Sequence, residues 1–574
     1  MHNHSKLKKS INMKIKYFKL FSALIVFMLL SACIKEEMLN EVPPHLITTE
    51  TLYTSYAGFE TGINSLYSRV RMELTGGNNH YGEMFQSGTD VLVSNSANRG
   101  NISMTFQFWD DMNAEHGRIY QRFSWLYEVV NGANTIINQA QDKEDIDWSG
   151  GTGTSTENKN LIIAEAKAIR AWAYRHLTFG WGDVPLSLSE SLGSTIRTDW
   201  ERAPVAEVRQ QIISDLLFAE QHISVEPQLR GRLTKGAVQH YLSEMYLTID
   251  QNQEALNWAD KVINAPEYEI ITERYGVLAY EEDRPVYMDQ FLDGNTNRDE
   301  GNTEALWVFQ FEYGIPGGSS NSRRRIHMSR LEDIVVDGVR PFRATWERGG
   351  RGGCTRAQIP NYFLTLFEEQ DDRFSHYSIR RFYILKDAEA NSPFAADRLP
   401  PGYEYGDTIW THWLDDPDLS PDNRVNVLRP YLRKVDGTTR YSNDPITDRH
   451  SYKDEVYLRL AETYMLKAEA EYKLGLLDEA AATLNVIRRR SNASEITAAD
   501  VDIDFILDER ARELTMEEHR RWTLLRTGKW VERTSACNHN GGQFINETFK
   551  LFPIPQPVID ANITGEMPQN PGYN

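Results

Sequence analysis

The stretch that most constrains this chain is Tyr457 to Arg490, YLRLAETYMLKAEAEYKLGLLDEAAATLNVIRRR. Apolar or small residues at Tyr457, Leu460, Ala461, Tyr464, Met465, Ala468 and Tyr472 lay one stripe along an α-helix, and Gly475 stops it. A second stripe at Leu477, Ala480, Ala481, Leu484 and Ile487 opens on Asp478 and Glu479 and ends on Arg488, Arg489 and Arg490, charges that suit the helix dipole. Helices joined so tightly must lie antiparallel. Large Tyr alternating with small Ala lets them approach closely, and such a tetratricopeptide-like pair needs neighbours to bury its apolar face.

Two sister units stand upstream. Gly236 to Asn264 repeats the design, with Ala237, Tyr241, Met245 and Tyr246 on one helix and Trp258, Ala259, Val262 and Ile263 on the next. A weaker copy has Ala164, Ala168, Ala171 and Trp172 on one face of Leu161 to Phe179, followed by Val205 to His222. The spacing therefore predicts a mainly α chain with helix-pair units at about 119–185, 205–264 and 455–490. A further helix is expected from Thr49 to Arg71 and a short strand from Thr303 to Tyr313. Between the units, segments 75–113 and 287–450 read as long irregular insertions packed on the scaffold.

The N-terminus gives an address. Lysines at 8, 9, 14, 16 and 19 precede an apolar run from Leu20 to Leu30, the length of a signal-peptide core rather than a spanning helix; Met13 offers a second start. Leu30-Ser31-Ala32-Cys33 has the form of a bacterial lipobox, with residues 1–32 removed, Cys33 carrying the lipid and 33–48 serving as linker before a single domain over 49–574. Only Cys354 and Cys537 then remain, so disulfides do not organise the fold, and spacing does not decide whether the two pair. With 82 acids against 62 bases the net charge is −20, which argues against nucleic acid as a partner.

Several motifs in one order carry a family resemblance: the lipobox, the helix and turn AEAKAIRAWAYRHLTFGWGDVPL, the unit at Tyr457 to Arg490, ILDERARELTMEEHRRWTLLRTGKW from Ile506 to Trp530, and the tail LFPIPQPVIDANITGEMPQNPGYN from Leu551. Together they resemble the SusD/RagB family over essentially the whole chain. The resemblance implies a SusD-like tetratricopeptide scaffold with a few short strands. It also implies an outward-facing outer-membrane lipoprotein that binds a nutrient glycan, or in some members peptide, as the lid of a SusC-like TonB-dependent barrel, with no catalysis and no cofactor.

Sugars present apolar C–H faces and a rim of hydroxyls, so they call for exposed rings with Asn, Asp, Arg or Gln beside them. The family draws such groups from the loops after the first helix and from the central insertion. Here those regions hold Tyr81, Asn95, Asn98, Arg99 and Trp109, then Tyr313, Arg323, Arg324 and Trp346. For each ring, and most of all for Trp109 beside Phe106 and Phe108, the competing reading is a core side chain. Arginines from Arg323 to Arg356 form a basic island that suggests an anionic ligand, a uronate or sulfated glycan, because guanidinium forks match those groups. The alternatives are a solvated loop or a surface facing the protein body or the transporter.

Asp508, Glu509 and Arg512 have the spacing of helix-surface ion pairs rather than of acid/base machinery. Gly349 to Gly353 lacks the Lys-Ser/Thr of a phosphate loop, and no His or Cys spacing marks a metal site. A surface glycoside hydrolase or lyase would need two carboxylates about a sugar bond, and nothing singles out such a pair.

Overall fold

The computed structural model describes residues 48–75, 82–94, 109–345, 348, 352–353, 357–388, 395–412, 428–437 and 451–573, together with Met13. The chain divides into two compact units, residues 1–54 and 55–574. The described part of the first is a short helix, Thr49–Leu52, capped by the Thr48 side chain.

Among the described residues the scaffold of the second unit is a stack of eight helices: α1 Tyr56–Arg71, α2 Gly117–Asp142, α3 Ser155–Trp181, α4 Val205–His222, α5 Lys235–Thr248, α6 Asn252–Ile263, α7 Leu460–Lys473 and α8 Leu477–Arg490. From α2 onward each packs on the next, and α1 lies against α2 and α3. Local chemistry starts them: Thr154 and Glu157 form a reciprocal capping box at α3, and the Thr234 hydroxyl accepts from the Ala237 N–H at α5. The long break in sequence between α6 and α7 leaves no break in the stack. Leu247, Ala255 and Leu256 meet Leu466 and Ala470 in one small core, with Tyr246 against it.

The stripe that begins at Tyr457 does not begin a helix there. Glu455–Arg459 is a fully buried strand, β8, and α7 starts at Leu460. It pairs antiparallel with β2, Ala305–Phe309, which realises the strand expected within Thr303 to Tyr313. Five buried residues fit a helix stripe and a central strand equally well, and the long-range pairing decides. Phe309 stacks on Tyr457 at 4.1 Å. The other described ladders are also two-stranded and antiparallel: β1 Val93–Ser94 with β3 Ala357–Gln358, β4 Ile379–Arg380 with β7 Tyr431–Leu432, and β5 Phe382–Ile384 with β6 Thr408–Trp410. They enclose a second core in which Leu92, Phe363, Ile379, Tyr383 and Leu432 reach Ala511.

Ala511 belongs to α9, Ile503–Leu514, which is followed by α10, Arg520–Arg526, and α11, Trp530–Cys537. Glu509, Glu513 and Glu517, one turn apart, carry a buried ionic lattice. Glu509 takes Arg373 at 2.7 Å, Arg488 at 2.7 Å and Arg512 at 2.6 Å. Glu513 takes Arg459 at 2.6 Å, Arg373 at 3.1 Å and Arg490, which also bonds Glu304, the residue before β2, at 3.0 Å. Glu517 takes Arg459 at 2.5 Å and Lys434. The expected Glu509–Arg512 pair exists, but inside the protein, and Asp508 turns instead to Arg533 and the Tyr362 hydroxyl. Burial alone would raise the Glu509 and Glu513 carboxyls; Arg373, Arg512 and Arg488 about the first, and Arg490, Arg459 and Arg373 about the second, hold both well below the carboxylate range.

Removing one partner of such a set leaves the others charged and dry. Glu513→Gln is expected to lower the unfolding free energy by about 3–5 kcal/mol in urea titrations, whereas Arg197→Ala, which breaks an exposed pair with Asp199, leaves it unchanged. Because these carboxyls are depressed, their contribution is present at neutral pH and lost as pH falls below the ordinary carboxylate range, so wild type and Glu513→Gln converge toward acid pH.

Candidate functional site

Cys33, Tyr81, Asn95, Asn98, Arg99 and Trp346 lie outside the described residues. Of the remaining candidates, three are interior. Trp109 is fully buried, edge-on to Trp530 at 5.2 Å, with the Arg521 guanidinium 4.9 Å from its ring. Arg323 is buried and bonds Glu455 of β8 at 3.0 Å, and Arg324 beside it is fully buried. These side chains hold the fold and present nothing to a ligand outside. Other arginines of the basic island pair within the chain: Arg330 and Arg340 share the partly exposed Asp333, and Arg348 bonds the buried Asp397.

Tyr313 is the exception, half exposed at 51%, with Tyr452 edge-on to it at 4.9 Å. It stands just past β2 on a loop whose Gly314 and Gly317 take the left-handed conformation that favours glycine. The loop is anchored from α1: Arg71 donates from Nη1 to the Gln310 carbonyl at 2.6 Å and from Nη2 to the Gly317 carbonyl at 2.5 Å. Behind it Asp454 accepts from the Phe311 N–H at 2.7 Å and from Asn297 Nδ2 at 2.8 Å. Burial pushes the Asp454 carboxyl up to about 6 in spite of these bonds. Both its oxygens are occupied by structural donors, so its raised value serves the loop and does not mark a general acid.

A second ring surface escaped sequence reasoning. On the β5–β6 hairpin Tyr383 and Ile409 turn inward, while Trp410, opposite Phe382 in register, is 61% exposed. The only sequence signal is the alternation Thr408-Ile409-Trp410 within an irregular stretch.

Two other features are closed. A groove of about 240 Å³ is lined by residues 226–232, 234, 297–299 and 305–308, but its arginines are neutralised by the chain's own acids: Arg230 by Asp299 and Glu300, Arg232 by Glu60 and Glu165, and Arg298 by Glu226. Glu73, His176 and His519 converge as three metal ligands would. However, Trp522 donates to His176 Nδ1 at 2.9 Å, and Arg175 Nη1 stands 3.0 Å from His519 Nδ1. Each of those nitrogens must accept, so each imidazole carries its proton on Nε2 and has no lone pair there for a cation. His519 Nε2–H donates to Glu73 at 2.8 Å, and the Tyr457 hydroxyl donates to its other oxygen at 2.6 Å, making a core hydrogen-bond cluster.

The sequence matches the SusD family model over residues 348–573 and a SusD-like model described as "Starch-binding associating with outer membrane" over residues 42–247. The chain belongs to the SusD/RagB family. SusD-like protein P25 of Formosa agariphila is 24% identical over 531 residues, covering 88% of this chain and 89% of that protein. A solved SusD homolog from Bacteroides thetaiotaomicron superposes with TM-score 0.68 at 20% identity, covering 94% of this SusD/RagB chain and 100% of its own. A structure titled "Laminarin binding SusD-like protein" does so with TM-score 0.64 at 20% identity, covering 91% and 100%. These likenesses show that the helical stack and its few short strands are the SusD fold. Among the described residues no helix is long and apolar enough to cross a membrane.

Asp454 supplies a pH test of the Tyr313 loop. Its carboxyl is raised, so its favourable contribution is complete below the ordinary carboxylate range and is lost as pH rises through about 6. Between acid and neutral pH the stability of Asp454→Asn is expected to gain on wild type by about 1–3 kcal/mol, read from thermal melts; parallel melts would contradict the assignment.

Proposed function

We propose that this SusD/RagB-family protein is a lipoprotein anchored through Cys33 to the outer membrane, facing outward. In this reading it captures poly- or oligosaccharide on its insertions and passes it to a SusC-like TonB-dependent barrel without altering it. The observation that carries the proposal is the Tyr313–Tyr452 ledge: an exposed ring, braced by a second and held on a loop bonded to α1, standing on the SusD scaffold. An aromatic face exposed at a cost in hydration suits the apolar face of a sugar ring. The similarity to a structure titled as laminarin-binding supports a glycan rather than a peptide. No cofactor is needed for capture and transfer, and the partner barrel supplies the passage through the membrane.

Native affinity electrophoresis of the mature protein in gels cast with soluble polysaccharides tests this reading. One polysaccharide is expected to retard it without releasing reducing ends, and Tyr313→Ala to weaken that retardation about 2- to 10-fold, the worth of one ring contact. Retardation by none of them while peptides bind would favour the peptide-binding reading, and turnover would make the protein an enzyme. Labelled palmitate incorporated by wild type and absent from Cys33→Ala checks the anchor.

A further inference from the structure

The ledge at Trp410 differs in charge from the acidic chain that carries it. Trp410 lies 5.1 Å from Phe382, and His376 stacks on that same ring at 3.8 Å and 13°. The same end of the hairpin holds Arg380, Arg381 and Arg433. Asp436 serves two of them, bonding Arg433 at 2.9 Å and standing 3.8 Å from Arg380. Among the described residues Arg381 has no carboxylate partner: its guanidinium lies flat over Phe374 at 4.0 Å, half-buried, with Nε unbonded. Burial and then these three arginines push His376 down to about 3, which reports a positive field at the ring stack. Among the described residues the acids Asp387, Glu404 and Asp407 lie past Ile384 and Thr408, at the other end of the two strands.

We propose that this corner is a subsite for an acidic glycan, whose sugar ring stacks on Trp410 while its carboxylate or sulfate is taken by Arg381. The inference rests on the glycan-binding reading above and adds to it the charge of the ligand and the residues that read it. The basic island from Arg323 to Arg356 suggested an anionic ligand; the structure buries its Arg323 and Arg324, while Arg381, outside that island, has no carboxylate partner among the described residues. Stacking on Phe374 orients the fork before any ligand arrives, which lowers the entropic cost of a bidentate contact.

The test uses the mature protein and three probes: polygalacturonate for a carboxylate, carrageenan for a sulfate and laminarin for a neutral glucan. Calorimetry or affinity electrophoresis is expected to show binding to one of the acidic polymers. Arg381→Gln should weaken that binding roughly tenfold, and about 0.5 M salt should weaken it comparably, while Trp410→Ala weakens it even at high salt. Unchanged melting temperatures would show that the variants are folded. Acidic-polymer binding that ignores both substitutions, or binding to laminarin alone, would overturn the subsite while leaving the glycan reading intact. Failure to bind any polysaccharide would remove both.

Discussion

Everything in this structure depends on neutralising three glutamates out of water. Glu509, Glu513 and Glu517 stack along and just beyond α9, and each is costly to bury unless its oxygens are filled. The groups that fill them come from distant stretches of the chain: Arg373 and Lys434 from the central insertion, Arg459 from β8, Arg488 and Arg490 from the last scaffold helix, and Arg512 from α9 itself. Glu304, the residue before β2, closes the set through Arg490 and Arg459. Arginine predominates because a planar fork can serve two carboxylates at once, as Arg459 and Arg373 do. The lattice holds scaffold, ladder and insertion in one arrangement, since any slip would strand a charge.

Those charges also explain what the sequence shows and what it hides. The helix pairs are legible because a stripe at helical spacing is a local property, and α7 with α8 and α5 with α6 lie where it places them. The start of α7 is not, because β8 becomes a strand only through β2, some 150 residues earlier. The insertions are less legible still: Arg348 meets Asp397, Lys434 meets Glu517 and Asp90 meets Arg520, contacts with no local periodicity.

The candidate site follows the same division. Tyr313 was legible because it falls in the central insertion from which the family draws its ligand groups, and it is exposed. Trp109, Arg323 and Arg324 were legible as the right residue types in the right regions, but residue type does not say which way a side chain faces, and all three face inward. Trp410 had three residues of alternation to announce it. A ring's exposure is set by the neighbours its strand acquires, and Phe382 becomes a neighbour only when the hairpin closes.

The direct seat of α6 on α7 has an evolutionary consequence. Because the chain leaves the stack at Ile263 and rejoins it at Leu460 between two helices already in contact, the long excursion is a loop closed at its neck. The entropic penalty of a closed loop grows only with the logarithm of its length. Stretches of the excursion that contribute nothing to the α9 lattice are thus free to lengthen, shorten or exchange their surface residues. New surface chemistry can arise there by drift in a lineage without any renegotiation of the framework beneath.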